Sequence, residues 1–186
     1  MSRSTKRQRL VQAAADLSHQ RGLSNATLAT IADHADVPVG NIYYYFKTKD
    51  EIASAVVKAR SEEYEALHRA WNDGSLDPVE RLLEFVHHAR DHVSELTALG
   101  CPIGGLCSDL ARTSHELGVE AGDIFRATIT WAAENFAAVG HPRPTEAATR
   151  LVASVQGATV LAHALGDPEV LRRECDHVEQ ELRSLR

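Results

Sequence analysis

The sequence predicts an all-α protein in two parts, an N-terminal three-helix module over residues 1–50 and a larger helical body over residues 51–186. Three observations carry this. Apolar residues recur at helical spacing along most of the chain, and the strict alternation of a half-buried strand persists nowhere. Glycine and proline punctuate the sequence at helix-length intervals, as in Gly100-Cys101-Pro102, Gly140-His141-Pro142 and Gly166-Asp167-Pro168. Residues 27–49, TLATIADHADVPVGNIYYYFKTK, read as a short helix, a tight turn and a second helix ending in an aromatic, basic cluster.

Taken in order, residues 5–20 carry Leu10, Val11, Ala14 and Leu17 on one stripe, and Gly22 is placed to stop that helix. Leu28, Ile31, Ala32 and Ala35 then share a face, with Thr27 where an N-cap hydroxyl belongs. Asp36-Val37-Pro38 makes the turn. Pro38 suits the first helical position, because its ring fixes φ and its missing N–H would be unpaired there anyway. The second helix, residues 38–46, turns Ile42, Tyr45 and Phe46 inward. A long helix over residues 50–72 follows, with Thr48 as N-cap and Ile52, Val56 and Tyr64 facing inward. Asp77-Pro78 opens a helix whose apolar face runs to about Leu99, and residues 100–105, with three glycines and a proline, form a bend. Helices over residues 106–114, 119–139, 145–165 and 168–185 complete the chain.

The outward residues of the second short helix are those free to meet a DNA groove. Gly40 lets the backbone approach a phosphate, Asn41 can bond base edges or phosphate, and Tyr43 and Tyr44 carry hydroxyls on rigid rings. Lys47 and Lys49 add charge, and Thr27 stands at a helix N-terminus that also favours phosphate. An ordinary helical corner with a solvated basic rim would carry the same pattern.

The formal net charge of −6 speaks against a nucleic-acid partner only until it is divided. Residues 1–60 hold nine Lys/Arg and five Asp/Glu, a net of +4, whereas residues 61–186 hold eleven and twenty-one, a net of −10. A positive end steers the chain onto phosphates, and the basic start MSRSTKRQRL reads as an arm that meets nucleic acid. At 44% hydrophobic and 25% charged residues, with no membrane-length apolar run and no signal-peptide pattern, the chain is expected to be cytoplasmic and without a membrane partner.

The run GNIYYYFKTKDEI, preceded by TLATIADHADVPV, resembles the DNA-binding signature of the TetR family of transcriptional regulators, over about residues 6–55. The resemblance implies a dimeric repressor, without catalysis or cofactor, that binds a double-stranded DNA operator and leaves it when a small-molecule effector binds. It implies phosphate contacts from Thr27, Tyr43, Tyr44 and Lys49, and groove contacts from Val39, Gly40 and Asn41. Asp36 stands where many members have glycine, a tolerable change because Asp visits the left-handed region. Pro38 replaces a common Ser or Thr and Val39 a common basic residue, which removes one hydroxyl contact and one charge.

The resemblance also implies pairing through the last two helices into a four-helix bundle. Ala147, Leu151, Val155, Ala158 and Ala162 on the first, with Val170, Leu171, Val178 and Leu182 on the second, supply apolar faces, and Gly157 permits close approach. Periodicity alone does not separate a dimer face from an intramolecular core. A charge at Val155 or Ala158 is expected to split the dimer.

For the effector, Phe85, His88, His92, Cys101, Cys107, Phe125, Trp131 and Gln156 combine aromatic walls with polar handles. Each also suits a plain core position. The bend at residues 100–105 is expected to couple the effector site to the DNA module, or to be a simple interhelical loop. His88 and His92 stand at i, i+4, a spacing that can hold zinc given a third ligand such as Cys101 or Cys107, and the same thiols could form a redox switch. A helical metal protein or enzyme is the competing class. No nucleophile–base pairing or glycine-rich phosphate loop supports it, and neither catalytic nor metal residues are assigned.

Overall fold

The computed structural model describes residues 3–186, with side chains from Lys6 onward. Of the basic arm, Met1 and Ser2 lie outside the described residues, and from Arg3 the chain is helical rather than extended. The helices are α1 (Arg3–Arg21), α2 (Leu28–His34), α3 (Val39–Tyr45), α4 (Lys49–Gly74), α5 (Pro78–Asp91), α6 (Val93–Leu99), α7 (Pro102–Thr113), α8 (His115–Ala138), α9 (Pro144–Leu165) and α10 (Pro168–Arg183), with a 3-10 turn at Leu23–Asn25. Among the described residues there is no strand, so the all-α expectation holds.

Two compact units result, and they do not follow chain order. The first joins the chain up to Glu63 with Pro102–Asp123, and the second joins Tyr64–Cys101 with Ile124–Arg186. A division at residue 50, by contrast, would fall within the first turn of α4. The first unit recruits α7 because Leu106 and Leu110 are buried in the same core as Leu10, Leu17, Ile31, Ile42, Phe46 and Ile52. Each fully buried aliphatic or aromatic side chain of this kind contributes about 1.5–3 kcal/mol. In the second unit, Trp71, Leu82, Leu83, Val86, Trp131, Phe136, Leu151, Val155, Leu171 and Val178 form the core. The α10 helix is fastened to α5 by Arg90, which bonds Glu179 at 2.8 Å and Asp176 at 2.6 Å.

The helix starts follow their capping chemistry. Asp77 and Asp167 accept from the N–H groups of Val79 and Glu169 at 2.8 and 2.9 Å, each with proline opening the helix. Gly22 ends α1 at φ +82°, in the region that favours glycine.

Three expectations change. The helix from Pro78 does not run unbroken to Leu99, because His92, at φ −98° and ψ 14°, separates α5 from α6. The bend at residues 100–105 shrinks to Gly100 and Cys101, since α7 begins at Pro102 and takes Gly104 and Gly105 into its first turns. Proline and glycine in sequence read as a loop, but proline is well tolerated at a helix start and the buried Ile103, Leu106 and Leu110 hold the glycines in the helix. Lastly, Val155 and Ala158 are 2% and 7% exposed within the single chain, so they belong to its own core and not to a face open to a second copy.

Candidate DNA interface and effector core

The helix-turn-helix is assembled by reciprocal caps and one clamped turn. At the start of α2, Thr27 Oγ1 accepts from the Thr30 N–H at 3.1 Å and Thr30 Oγ1 accepts from the Thr27 N–H at 2.9 Å. Asp36 takes φ +50°, the one positive φ at a non-glycine residue among those described. Arg9 of α1 holds this turn, donating to the carbonyl oxygens of Ala35 and, at 2.9 Å, Asp36, and pairing with the Asp36 carboxylate at 3.0 Å. Pro38 proves to be the N-cap of α3, with Val39 the first helical residue. The one-residue shift reflects the ψ of 133° at Pro38, which is outside the helical range.

The α3 helix is two-sided. Ile42 is fully buried and Phe46, just past its end, is 2% exposed, with the Arg7 guanidinium 5.2 Å from the Phe46 ring centre. Tyr45 is half-buried against the same core. On the other side Val39, Tyr43 and Tyr44 are 44%, 50% and 57% exposed, Gly40 is exposed, and Asn41 is half-buried. A side chain built at Gly40 would meet nothing within 4 Å. Lys47 Nζ donates to the Tyr43 carbonyl and Lys49 Nζ to the Ser24 carbonyl, both at 2.6 Å. Each ammonium keeps two further N–H donors, which a phosphate could use. Thr48 caps α4 by accepting from the Glu51 N–H at 3.2 Å, while Glu51 accepts from the Lys47 N–H at 2.7 Å.

The junction with α7 is a feature the sequence did not reveal. Asp109, 7% exposed, accepts from the Ser24 N–H at 2.7 Å and from the Ser24 hydroxyl at 2.6 Å. All three of the hydrogen-bonding groups on Ser24 are therefore committed, two to Asp109 and the carbonyl to Lys49. A cavity of about 170 Å³ lies here, lined by Leu23, Ser24, Lys49, Ala53, Asp109 and Leu110 among others.

In the second unit, part of the expected effector set gathers around Trp71. Phe85 and His88 lie with ring centres 6.3 and 5.8 Å from it, and Trp131 at 5.2 Å. Trp131 and Phe85 are buried; His88 and Phe125 are half-buried. His92 is exposed, its ring 4.4 Å from that of His88 and its Nδ1 2.8 Å from the His88 carbonyl oxygen. Gln156 and Cys101 are half-buried, whereas Cys107 belongs to the first unit. Among the described residues no group of three His, Cys, Asp or Glu side chains could hold a metal ion, so the His88–His92 pair lacks a third ligand. The sequence reading missed His68, which stacks on Trp131 at 5.0 Å and 6°, and Asn72, whose Oδ1 accepts from the Trp131 N–H at 3.0 Å. Their signal was present: His68, Trp71 and Asn72 stand at i, i+3 and i+4 on one helix. Burial holds the His68 imidazole neutral, with its pKa lowered to about 4 against a weaker opposing pull from Glu65.

A buried anchor under an exposed aromatic face, on the second helix of a capped helix-turn-helix, defines a DNA-binding helical regulator. Comparison with known proteins agrees. Residues 10–56 match the bacterial regulatory proteins of the tetR family, and residues 78–177 match the C-terminal domain of LmrA/YxaF-like transcriptional regulators. The chain belongs to the TetR family and is a DNA-binding transcriptional regulator. A helix-turn-helix transcriptional regulator encoded in the lacX 3′ region of Lactococcus lactis is 24% identical over 183 residues, covering 94% of this chain and 91% of that protein. The transcriptional repressor DhaR of Mycobacterium sp. strain GP1 is 28% identical over 126 residues, 67% of this chain and 62% of its own. The fold is shared with a TetR-family regulator from Streptomyces coelicolor, at TM-score 0.83 and 21% identity, covering 98% of this chain and 96% of that one. No helix among the described residues is long and apolar enough to cross a membrane.

Proposed function

We propose that the chain is a repressor that binds its operator as a homodimer in the cytoplasm and releases it when a small molecule occupies the second unit. The observation that carries this is the two-sidedness of α3, where a fully buried Ile42 backs exposed Val39, Tyr43 and Tyr44. Such a helix is fixed from behind and free in front, as a groove-reading element must be. Val39, Gly40 and Asn41 face base edges; Thr27, Tyr43, Tyr44, Lys47 and Lys49 serve phosphates. The open space at Gly40 supports close backbone approach. Repression is supported by the relatives named as repressors, DhaR among them. The functional boundary is taken at residue 50, so that residues 51–186 form the effector and dimerisation part.

Pairing is assigned to α9 and α10. Along α9, Ala153, Gly157, Val160 and Ala164 are exposed on the side away from the buried Val155 and Ala158, with Leu161 and Leu165 exposed beside them. A side chain at Gly157 would meet nothing within 4 Å in the single chain, which leaves that stretch open to a second helix. A twofold dimer places two α3 helices at half-sites a helical turn apart.

A gel shift with the DNA upstream of the chain's own reading frame tests the reading. A retarded band that an unrelated duplex does not compete supports it, and retardation equal on both duplexes contradicts it.

A further inference from the structure

The outward side of α3 carries unusual chemistry for an element that meets base edges. Val39–Tyr45 reads VGNIYYY, with no charged side chain and a single side-chain amide, that of Asn41. A guanine edge is bound best by arginine or lysine, and a cytosine edge by a carboxylate. This helix carries none of these. Lys47 and Lys49 lie beyond its end, and each already donates to a backbone carbonyl at 2.6 Å. What α3 presents instead is Val39, its first residue, an aliphatic side chain left 44% exposed. The next position is the exposed Gly40, which puts no side chain between Val39 and a docked surface. Valine is stiff about χ1, so fixing it against a partner costs little side-chain entropy. In the major groove, thymine alone among the four bases offers a methyl group.

We propose that Val39 selects a thymine in the operator half-site, its isopropyl group packed against the C5-methyl in the major groove. This rests on the groove-facing reading of α3 and names the base that the helix selects. The family resemblance places a basic residue at this position in many members, so the contact follows from this chain's own residue. Asn41, the amide of the same helix, is suited to a neighbouring adenine.

The test starts from duplexes enriched out of a randomised library by the full chain. Each thymine of an enriched half-site is then replaced in turn by uracil, which removes the C5-methyl and keeps the base pair, and affinity is read by fluorescence anisotropy. At one of these thymines the wild type should bind about three- to fivefold more weakly, the loss expected when one buried methyl group is returned to water. Val39→Ser, a change at an exposed position, should bind the thymine and uracil duplexes within about 1.5-fold of each other there, since no apolar contact remains to be lost. An enriched half-site without thymine, a wild type indifferent to uracil at every thymine, or an equal loss in Val39→Ser overturns the proposal. Should Val39→Ser fail to fold, NMR of the wild type with isotope-labelled valine methyl groups decides: a nuclear Overhauser contact must join a Val39 methyl to a thymine methyl in the complex, and its absence overturns the assignment. Enrichment separates the two levels. A chain that enriches a sequence but ignores uracil loses the thymine assignment alone, whereas one that enriches no sequence loses the groove-facing reading of α3 with it.

Discussion

Arg9 Nη2 donates at 2.9 Å to the carbonyl oxygen of Asp36, the residue whose left-handed backbone turns α2 into α3. Beside the apolar packing of Leu10 and Leu17 on Ile31 and Ile42, the first helix thus ties the turn between the two short helices through one polar side chain, which also reaches the Ala35 carbonyl and the Asp36 carboxylate. Arg9→Ala leaves these acceptors to water and should destabilise the chain by about 1–2 kcal/mol in urea unfolding. Asp36→Gly removes the backbone strain while keeping both carbonyl contacts, and should cost no more than about 0.5 kcal/mol. Equal losses from the two substitutions would show that the carboxylate, not the carbonyls, holds the turn.

Asp109 ties α7 to the turn before α2 through Ser24. Asp109→Ala removes the acceptor of both the N–H and the hydroxyl of Ser24, groups that water can reach, and is expected to cost about 1–2 kcal/mol, with operator affinity falling alongside because the Ser24 carbonyl also accepts from Lys49. Urea unfolding and operator binding by fluorescence anisotropy read the two effects. Wild-type stability in the variant would mean that water replaces the carboxylate there.

Two helical glycines should respond in opposite directions. At Gly105 of α7 an added Cβ meets nothing within 4 Å, so Gly105→Ala should raise stability by about 0.5–1 kcal/mol and leave effector release unchanged. At Gly118 of α8 the Cβ would stand 2.8 Å from the Ala111 Cα, and Gly118→Ala should be destabilising by about 1–3 kcal/mol. Thermal melting compares them directly. A destabilised Gly105→Ala would restore that segment as a strained bend.

Val155→Glu should unfold the second unit, because it places an unpaired charge in a core where Val155 is 2% exposed. Val160→Glu and Leu161→Glu, at positions 62% and 54% exposed, should leave the helical fold intact and yield a monomer by sedimentation. A dimer that survives both exposed substitutions would move the pairing face off α9.

His68 makes stability depend on pH with a definite sign. Its pKa is about 4 in the folded chain and near 6.5 when unfolded, so the unfolded state binds the extra proton between those values. The neutral histidine's contribution is complete above about pH 6.5 and is lost as the pH falls toward about 4, a change on the order of 3 kcal/mol. The difference between wild type and His68→Phe in urea midpoint should narrow or reverse over that window. A constant difference would show that His68 is not neutral by burial.

Much of the fold was legible because capping and periodicity are local. Thr27, Thr48, Asp77 and Asp167 announce helix starts by side chains that reach only two or three residues along, and Asp36 stands where the family resemblance places a glycine, a left-handed position that aspartate tolerates. What stayed hidden depends on pairs far apart in sequence. Nothing near Asp109 indicates Ser24, 85 positions away, and nothing near Arg9 indicates the Asp36 carbonyl. Val155 and Ala158 show the same limit, since a buried stripe looks alike whether its partner is the same chain or another. The outward residues of α3 could be read because their helix is short and Ile42 leaves only one side for the core.

The most direct test is anisotropy titration of a labelled duplex from the chain's own upstream region, at physiological salt, against a scrambled duplex of the same length. The wild type should bind the upstream duplex at about 10⁻⁸ M or tighter, at least about a thousandfold more tightly than the scrambled one. A folded variant carrying Asn41→Ala and Tyr44→Ala together should lose most of that preference. Equal affinity of the wild type for both duplexes, or full discrimination in the double variant, would contradict the assignment of α3 as the element that reads DNA.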